Sequence, residues 1–174
     1  MIKACDIPAD ALLQKYRVEG TFADCYTTTL PGRVTLAEFV EAFYTTPLFK
    51  LERFVLAVVG ARSTDEHAWQ LARGERDAFA AWTVEARAKN ELLLCDVLGR
   101  TRSWLKVEPT GSAPAATRLY FGSAVVPKRD KESGKPELGA GFNALLGFHK
   151  HYSVALLGAA RRALAKHNHG DAGN

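Results

Sequence analysis

The chain has 174 residues, 47% of them hydrophobic and 24% charged, which suits one well-buried domain and excludes wholesale disorder and low-complexity classes. No apolar run approaches the roughly 18 residues of a membrane-spanning helix; the richest, residues 48–61, carries Lys50, Glu52 and Arg53. Net charge is +4, and the whole excess lies in residues 138–170, where Lys150, Arg161, Arg162 and Lys166 meet no acid. Cations late in a helix complement its macrodipole. That reading is preferred to nucleic-acid binding, which needs a basic stripe interleaved with exposed aromatics.

Cys5, Cys25 and Cys95 are odd in number, far apart and outside any CxxC, so they support neither a disulfide framework nor a zinc knuckle. Residues 1–8 lack the apolar core of a signal peptide. A reducing, cytoplasmic setting is the expectation.

Residues 1–20, interrupted by Pro8, are expected to form an arm or a short helical turn ahead of a single domain at 21–167. Residues 21–30 read as a strand, with Phe22, Tyr26, Thr28 and Leu30 on one parity, broken by Pro31-Gly32. Thr35 and Glu38 have capping-box spacing, and Leu36, Phe39, Val40 and Phe43 then follow the spacing of one helical face. Thr46 as N-cap with Pro47 at the first position starts a second helix, its stripe running through Leu48, Leu51, Val55 and Val58/Val59. Ser63 with Glu66 is read as a second capping box, opening a short helix that ends near Gly74.

From Asp77 the period changes. Segments 77–88, 91–97, 101–108 and 116–126 read as strands, with two-residue turns at Lys89-Asn90 and Gly99-Arg100. Residues 127–141 are charged and punctuated by Gly and Pro, and are read as a mobile surface loop. The last element, 142–166, carries the stripe Phe142, Leu145, Leu146, His149, Tyr152, Ser153, Leu156, Leu157, Ala160 and Leu164, and 168–174 is read as a flexible tail.

The expected class is α+β: an antiparallel sheet with helices inserted between its first two strands, covered by a long C-terminal helix. This order over residues 21–166, with the strings W82-x-V-E-A-R, T-R-S-W104-L and F-H-K-H-Y-S, resembles the START-like (SRPBCC, helix-grip) superfamily and bacterial proteins of that type without an assigned activity. The resemblance implies a curved sheet wrapped around the C-terminal helix, with a cavity between them. Members bind lipids, hormones and polyketides, and a minority catalyse cyclisations or dehydrations. The superfamily usually has six or seven strands; five are read here, so either the sheet is trimmed or a strand is hidden in the short third helix.

Counting from the two turns sets Arg87 opposite Leu92, Glu85 opposite Leu94, Asp96 opposite Ser103 and Cys95 opposite Trp104. One face then carries Trp82, Val84, Leu93, Cys95, Val97, Arg102 and Trp104; the other carries Glu85, Arg87, Leu92, Leu94, Asp96, Ser103 and Leu105. Neither is uniformly polar, so both are expected to be covered. His149 and Tyr152 on the helix stripe would face Glu85, Arg87, Asp96 and Ser103. With Phe121 they form the candidate ligand-binding set; the competing reading is a satisfied structural network with a core histidine. Trp82 and Trp104 could stack on a flat ligand, and Arg102 could lie beside Trp104 as a cation–π pair.

No metal site and no cofactor are expected. His149 and His151 are two apart on a helix and point in different directions, and no GxSxG elbow, Walker loop or dinucleotide fingerprint occurs. Three functions compete: a binder of a small hydrophobic or amphipathic molecule; an acid–base enzyme with His149 oriented by Glu85 or Asp96 and Tyr152 or Arg87 stabilising charge; and an interaction protein with a filled core.

Overall fold

The computed structural model describes residues 1–58, 62–111, 115–129, 136–137 and 142–170. In chain order it contains β1 (Lys3–Ala4), a 3₁₀ turn (Leu12–Tyr16), β2 (Phe22–Pro31), α1 (Leu36–Tyr44), α2 (Pro47–Val58), α3 (Asp65–Arg73), β3 (Ala78–Phe79), β4 (Trp82–Ala88), β5 (Glu91–Asp96), β6 (Thr101–Thr110), β7 (Ala116–Val125), β8 (Lys128–Arg129), β9 (Pro136–Glu137) and α4 (Phe142–Gly170). The class is α+β. Seven strands form one antiparallel sheet in the order β1-β2-β7-β6-β5-β4-β3, and the three helices α1–α3 lie between β2 and β3 as expected.

The helix starts follow local chemistry. Thr35 and Glu38 form the full reciprocal capping box, and Thr46 Oγ1 accepts from Phe49 N at 3.2 Å. Gly74, with φ +79°, ends α3. The α3 cap falls one residue later than the sequence suggested: Thr64 accepts from His67 N. Ser63 is engaged elsewhere, its hydroxyl taken by Arg53 Nε at 3.0 Å and its carbonyl by Arg53 Nη2 at 2.7 Å.

The strand count rises from five to seven, and α3 hides none of them. β1 comes from the N-terminal arm, and segment 77–88 is a tight hairpin, β3–β4, turned by Ala80 at φ 51°. Within 127–141 the two-residue strands β8 and β9 pair with each other; residues 130–135 and 138–141 lie outside the described residues. α4 extends to Gly170, past the expected end, while 171–174 lie outside the description.

Two registers depart from simple counting. The Lys89-Asn90 turn holds, and Arg87 opposes Leu92. Then a bulge inserts Glu85: Ala86 opposes Leu93 but Val84 opposes Leu94. One extra residue reverses side-chain parity beyond it, so Trp82 and Val84 join the face of Leu94 while Glu85 leaves it. At the other turn, Cys95 opposes Arg102 and Leu94 opposes Ser103. That turn is wider by two residues, which preserves parity, because Asp96 Oδ1 accepts from both Arg100 N (2.6 Å) and Thr101 N (2.9 Å).

Both faces of the sheet are covered. The front packs Tyr26, Leu30, Leu92, Leu94, Leu105 and Phe121 against α1, α3 and α4. Leu156, Leu157, Ala160 and Leu164 of α4 are all buried there. On the back, Ile7, Ala11 and Leu13 of the arm cover Cys25, Leu93, Trp104 and Ala124. This double coverage explains the three consecutive buried leucines of β5, Leu92 to Leu94. Gly122 makes the close approach possible, since a Cβ there would lie 2.7 Å from Leu13 Cδ2 and 2.9 Å from Trp104 Cε3.

Candidate functional site

Between the sheet, the α1–α2 region and the middle of α4 lies a cavity of about 720 Å³. Its apolar wall includes Phe43, Phe49, Phe121 and Leu156. Aromatic packing builds this wall: the Phe43 and Phe121 rings meet with centroids 4.7 Å apart, and Phe43, Tyr44 and Phe49 pack edge-on or tilted on each other. These contacts follow from the α1 stripe and the Thr46-Pro47 turn, which bring Phe49 back beside Phe43.

A few polar groups punctuate this wall. Ser103 is one, its Oγ 3.0 Å from the OH of Tyr44 buried behind it. Tyr152 and Ser153 of α4, Trp82 of β4 and Ser123 of β7 also line the cavity. Two buried atoms among them have no hydrogen-bond partner: Trp82 Nε1 and Ser153 Oγ. Ser153 is fully buried. Unpaired buried polar atoms are rare in proteins and cost roughly 1–3 kcal/mol each.

Of the expected set, Ser103, Phe121 and Tyr152 meet at this cavity. The side chain of His149 lies outside the described residues. Glu85 is a correction: it sits on the back face, where Oε2 accepts from Arg102 Nε at 2.6 Å and Oε1 from Tyr16 OH at 2.6 Å, with Lys15 Nζ at 2.5 Å. The bulge and the cations of that face put it there. Burial pushes its carboxyl up, but hydrogen bonds from Lys15 and Tyr16 and the charge of Arg102 outweigh this and hold it below the ordinary glutamate value. Arg87 keeps its predicted register, yet its guanidinium is spent on α3, donating to Leu71 O at 2.6 Å and Ala72 O at 3.5 Å. Asp96 closes the β5–β6 turn. The polar patch of Glu85, Arg87 and Asp96 facing α4 is therefore not assembled.

The tryptophans also separate. Trp82 lines the cavity, whereas Trp104 is fully buried on the back face, its Nε1 donating to Glu91 Oε2 at 2.8 Å. Arg102 stacks over the Tyr16 ring, 4.5 Å from its centroid, and not on Trp104.

Sequence reasoning passed over Asp24. Ser123 Oγ donates to Asp24 Oδ1 at 2.6 Å. Asp24 also lies in a second cleft of about 610 Å³, and His151 borders both spaces. Tyr26 is pushed up to about 12, first by burial and then by the charge of Asp24. A signal was present: Asp24 shares the parity of Phe22 and Tyr26, and Tyr26 packs in the front core.

Among the described residues no group of three His, Cys, Asp or Glu side chains is placed to hold a metal ion, and no helix is long and apolar enough to cross a membrane. Comparison of the chain with protein-family models, curated proteins and solved structures finds no match.

Proposed function

We propose that this chain is a helix-grip protein of the START-like kind, its sheet curving around α4, that holds a small, neutral, amphipathic molecule in the cavity between them. The observation that carries this reading is a mainly apolar cavity of about 720 Å³, two of whose lining residues, Trp82 and Ser153, each hold a buried polar atom, Nε1 and Oγ, without a partner. The size supports it, since small-molecule sites typically span roughly 300–1,000 Å³ with few polar groups. An indole N–H donates only, so the ligand carries an acceptor such as a carbonyl, ether or hydroxyl oxygen. A hydroxyl such as Ser153 donates or accepts and suits the same group or a neighbouring one. The apolar body packs on Phe43, Phe49 and Phe121. The acid–base reading is weakened because Glu85 and Asp96, its orienting carboxylates, are engaged elsewhere.

Native mass spectrometry of the purified protein tests this. The expected result is a bound species that organic extraction removes, or saturable uptake of a neutral probe such as a monoacylglycerol. Trp82→Phe and Ser153→Ala should each weaken retention about five- to tenfold, the equivalent of one hydrogen bond, without lowering the melting temperature. A protein that carries nothing and takes up no neutral amphiphile overturns the proposal.

A further inference from the structure

The register of β1 on β2, Lys3 opposite Thr27 and Ala4 opposite Tyr26, continues one step to set Cys5 opposite Cys25. Cys5 N donates to Cys25 O at 3.0 Å, and the two sulfurs lie 3.2 Å apart in a thiol–thiol hydrogen bond. Cys25 is 3% exposed and Cys5 half-buried, and both border the open cleft of about 610 Å³ beside Val154 and Lys150. Directly opposed residues of antiparallel strands lie about 4.5–5.5 Å apart at Cα, inside the range a disulfide spans. The third cysteine is remote from this pair in the sheet: Cys95 is on β5, its thiol donating to Asp96 O.

We propose that Cys5 and Cys25 are a redox modification site, which a low-molecular-weight disulfide such as oxidised glutathione converts into a reversible intramolecular disulfide latching the N-terminal arm to β2. The more accessible Cys5 gives up its proton and attacks one sulfur of the small disulfide. The small disulfide's S–S bond breaks, and one thiol leaves with a proton. Cys25 then attacks the Cys5 sulfur, the mixed disulfide breaks, and the second small thiol leaves with the Cys25 proton. Two protein thiols are oxidised and one small disulfide is reduced to two thiols. Burial pushes both protein thiols up, so the resting pair is protonated and hydrogen-bonded.

The latch acts on the element that closes the back of the sheet. β1 contributes only two paired residues, while the arm behind it supplies Ile7, Ala11 and Leu13 to the back-face core. A link from residue 5 to residue 25 closes the whole arm into a loop and restricts the unfolded chain. This inference is independent of what the cavity holds.

Full-length protein, reduced and then treated with oxidised glutathione, tests the proposal. The expected product is lighter by about 2 Da, the two hydrogens removed. After denaturation it retains one alkylatable thiol, and it yields a Cys5–Cys25 peptide on digestion. Its melting temperature should rise by about 5 °C or more and fall again with dithiothreitol. Cys95→Ala should keep the link, and Cys5→Ser, altering a half-buried residue, should fold and lose both the link and the shift. A stable glutathione adduct on Cys5, three alkylatable thiols after treatment, or a link through Cys95 overturns it.

Discussion

Glu85 and Arg102 are ion-paired at 2.6 Å on the face of the sheet turned away from α4. The pair joins the bulge in β4 to β6, and Tyr16 and Lys15 of the arm complete it. It anchors the arm to the back of the sheet.

Because Glu85 is held below its ordinary value, the folded state binds its proton less readily than the unfolded chain. The stabilisation is present above the ordinary value of 4.5 and is lost as pH falls through the lower folded-state value. Glu85→Gln should therefore be less stable than the parent at neutral pH and should show a shallower loss of melting temperature below pH 4.5. Asp10 and Asp65 are also held low, so some acid sensitivity should remain. Equal acid slopes in parent and variant would refute the assignment.

Glu91 ties three groups together: Leu12 N at 2.9 Å, Trp104 Nε1 at 2.8 Å and Lys106 Nζ at 3.4 Å. Glu91→Ala leaves one buried donor, Trp104 Nε1, and one half-buried donor, Leu12 N, without their partner and breaks one ion pair, and should cost about 3–5 kcal/mol. Denaturant unfolding followed by tryptophan fluorescence measures it. A loss below 1 kcal/mol would mean water replaces the carboxylate freely.

Gly122→Ala should destabilise by about 1–3 kcal/mol through overpacking against Leu13 and Trp104. Leu13→Ala in the same chain removes one of the two clashing side chains. The double variant should therefore lose less than the sum of the singles, and strict additivity would contradict the close approach.

Leu157 is fully buried where α4 crosses the sheet. Leu157→Ala should cost about 2–5 kcal/mol, read by chemical denaturation. An exposed position would lose almost nothing, so an unchanged midpoint would reject the packing of α4.

What the amino-acid sequence determined by itself was set by neighbours a few residues apart. The Thr35–Glu38 box, the Thr46-Pro47 start, the Gly74 stop and the α4 stripe from Tyr152 to Leu164 all rest on spacing within one or two turns. They appear in the structure nearly unaltered, as does the β2 parity that buries Tyr26, Thr28 and Leu30. The Ser63 cap failed because Arg53, ten residues away, competes for that serine. Tertiary structure alone decided the face of Glu85, since a bulge forms where Lys15, Tyr16 and Arg102 converge on its carboxylate, and parity counting has no knowledge of those partners. It likewise decided that the arm is the back layer of the sheet and that Cys5 meets Cys25. Both follow from β1 pairing with β2, a contact whose closing loop carries no turn signal tight enough to set a register.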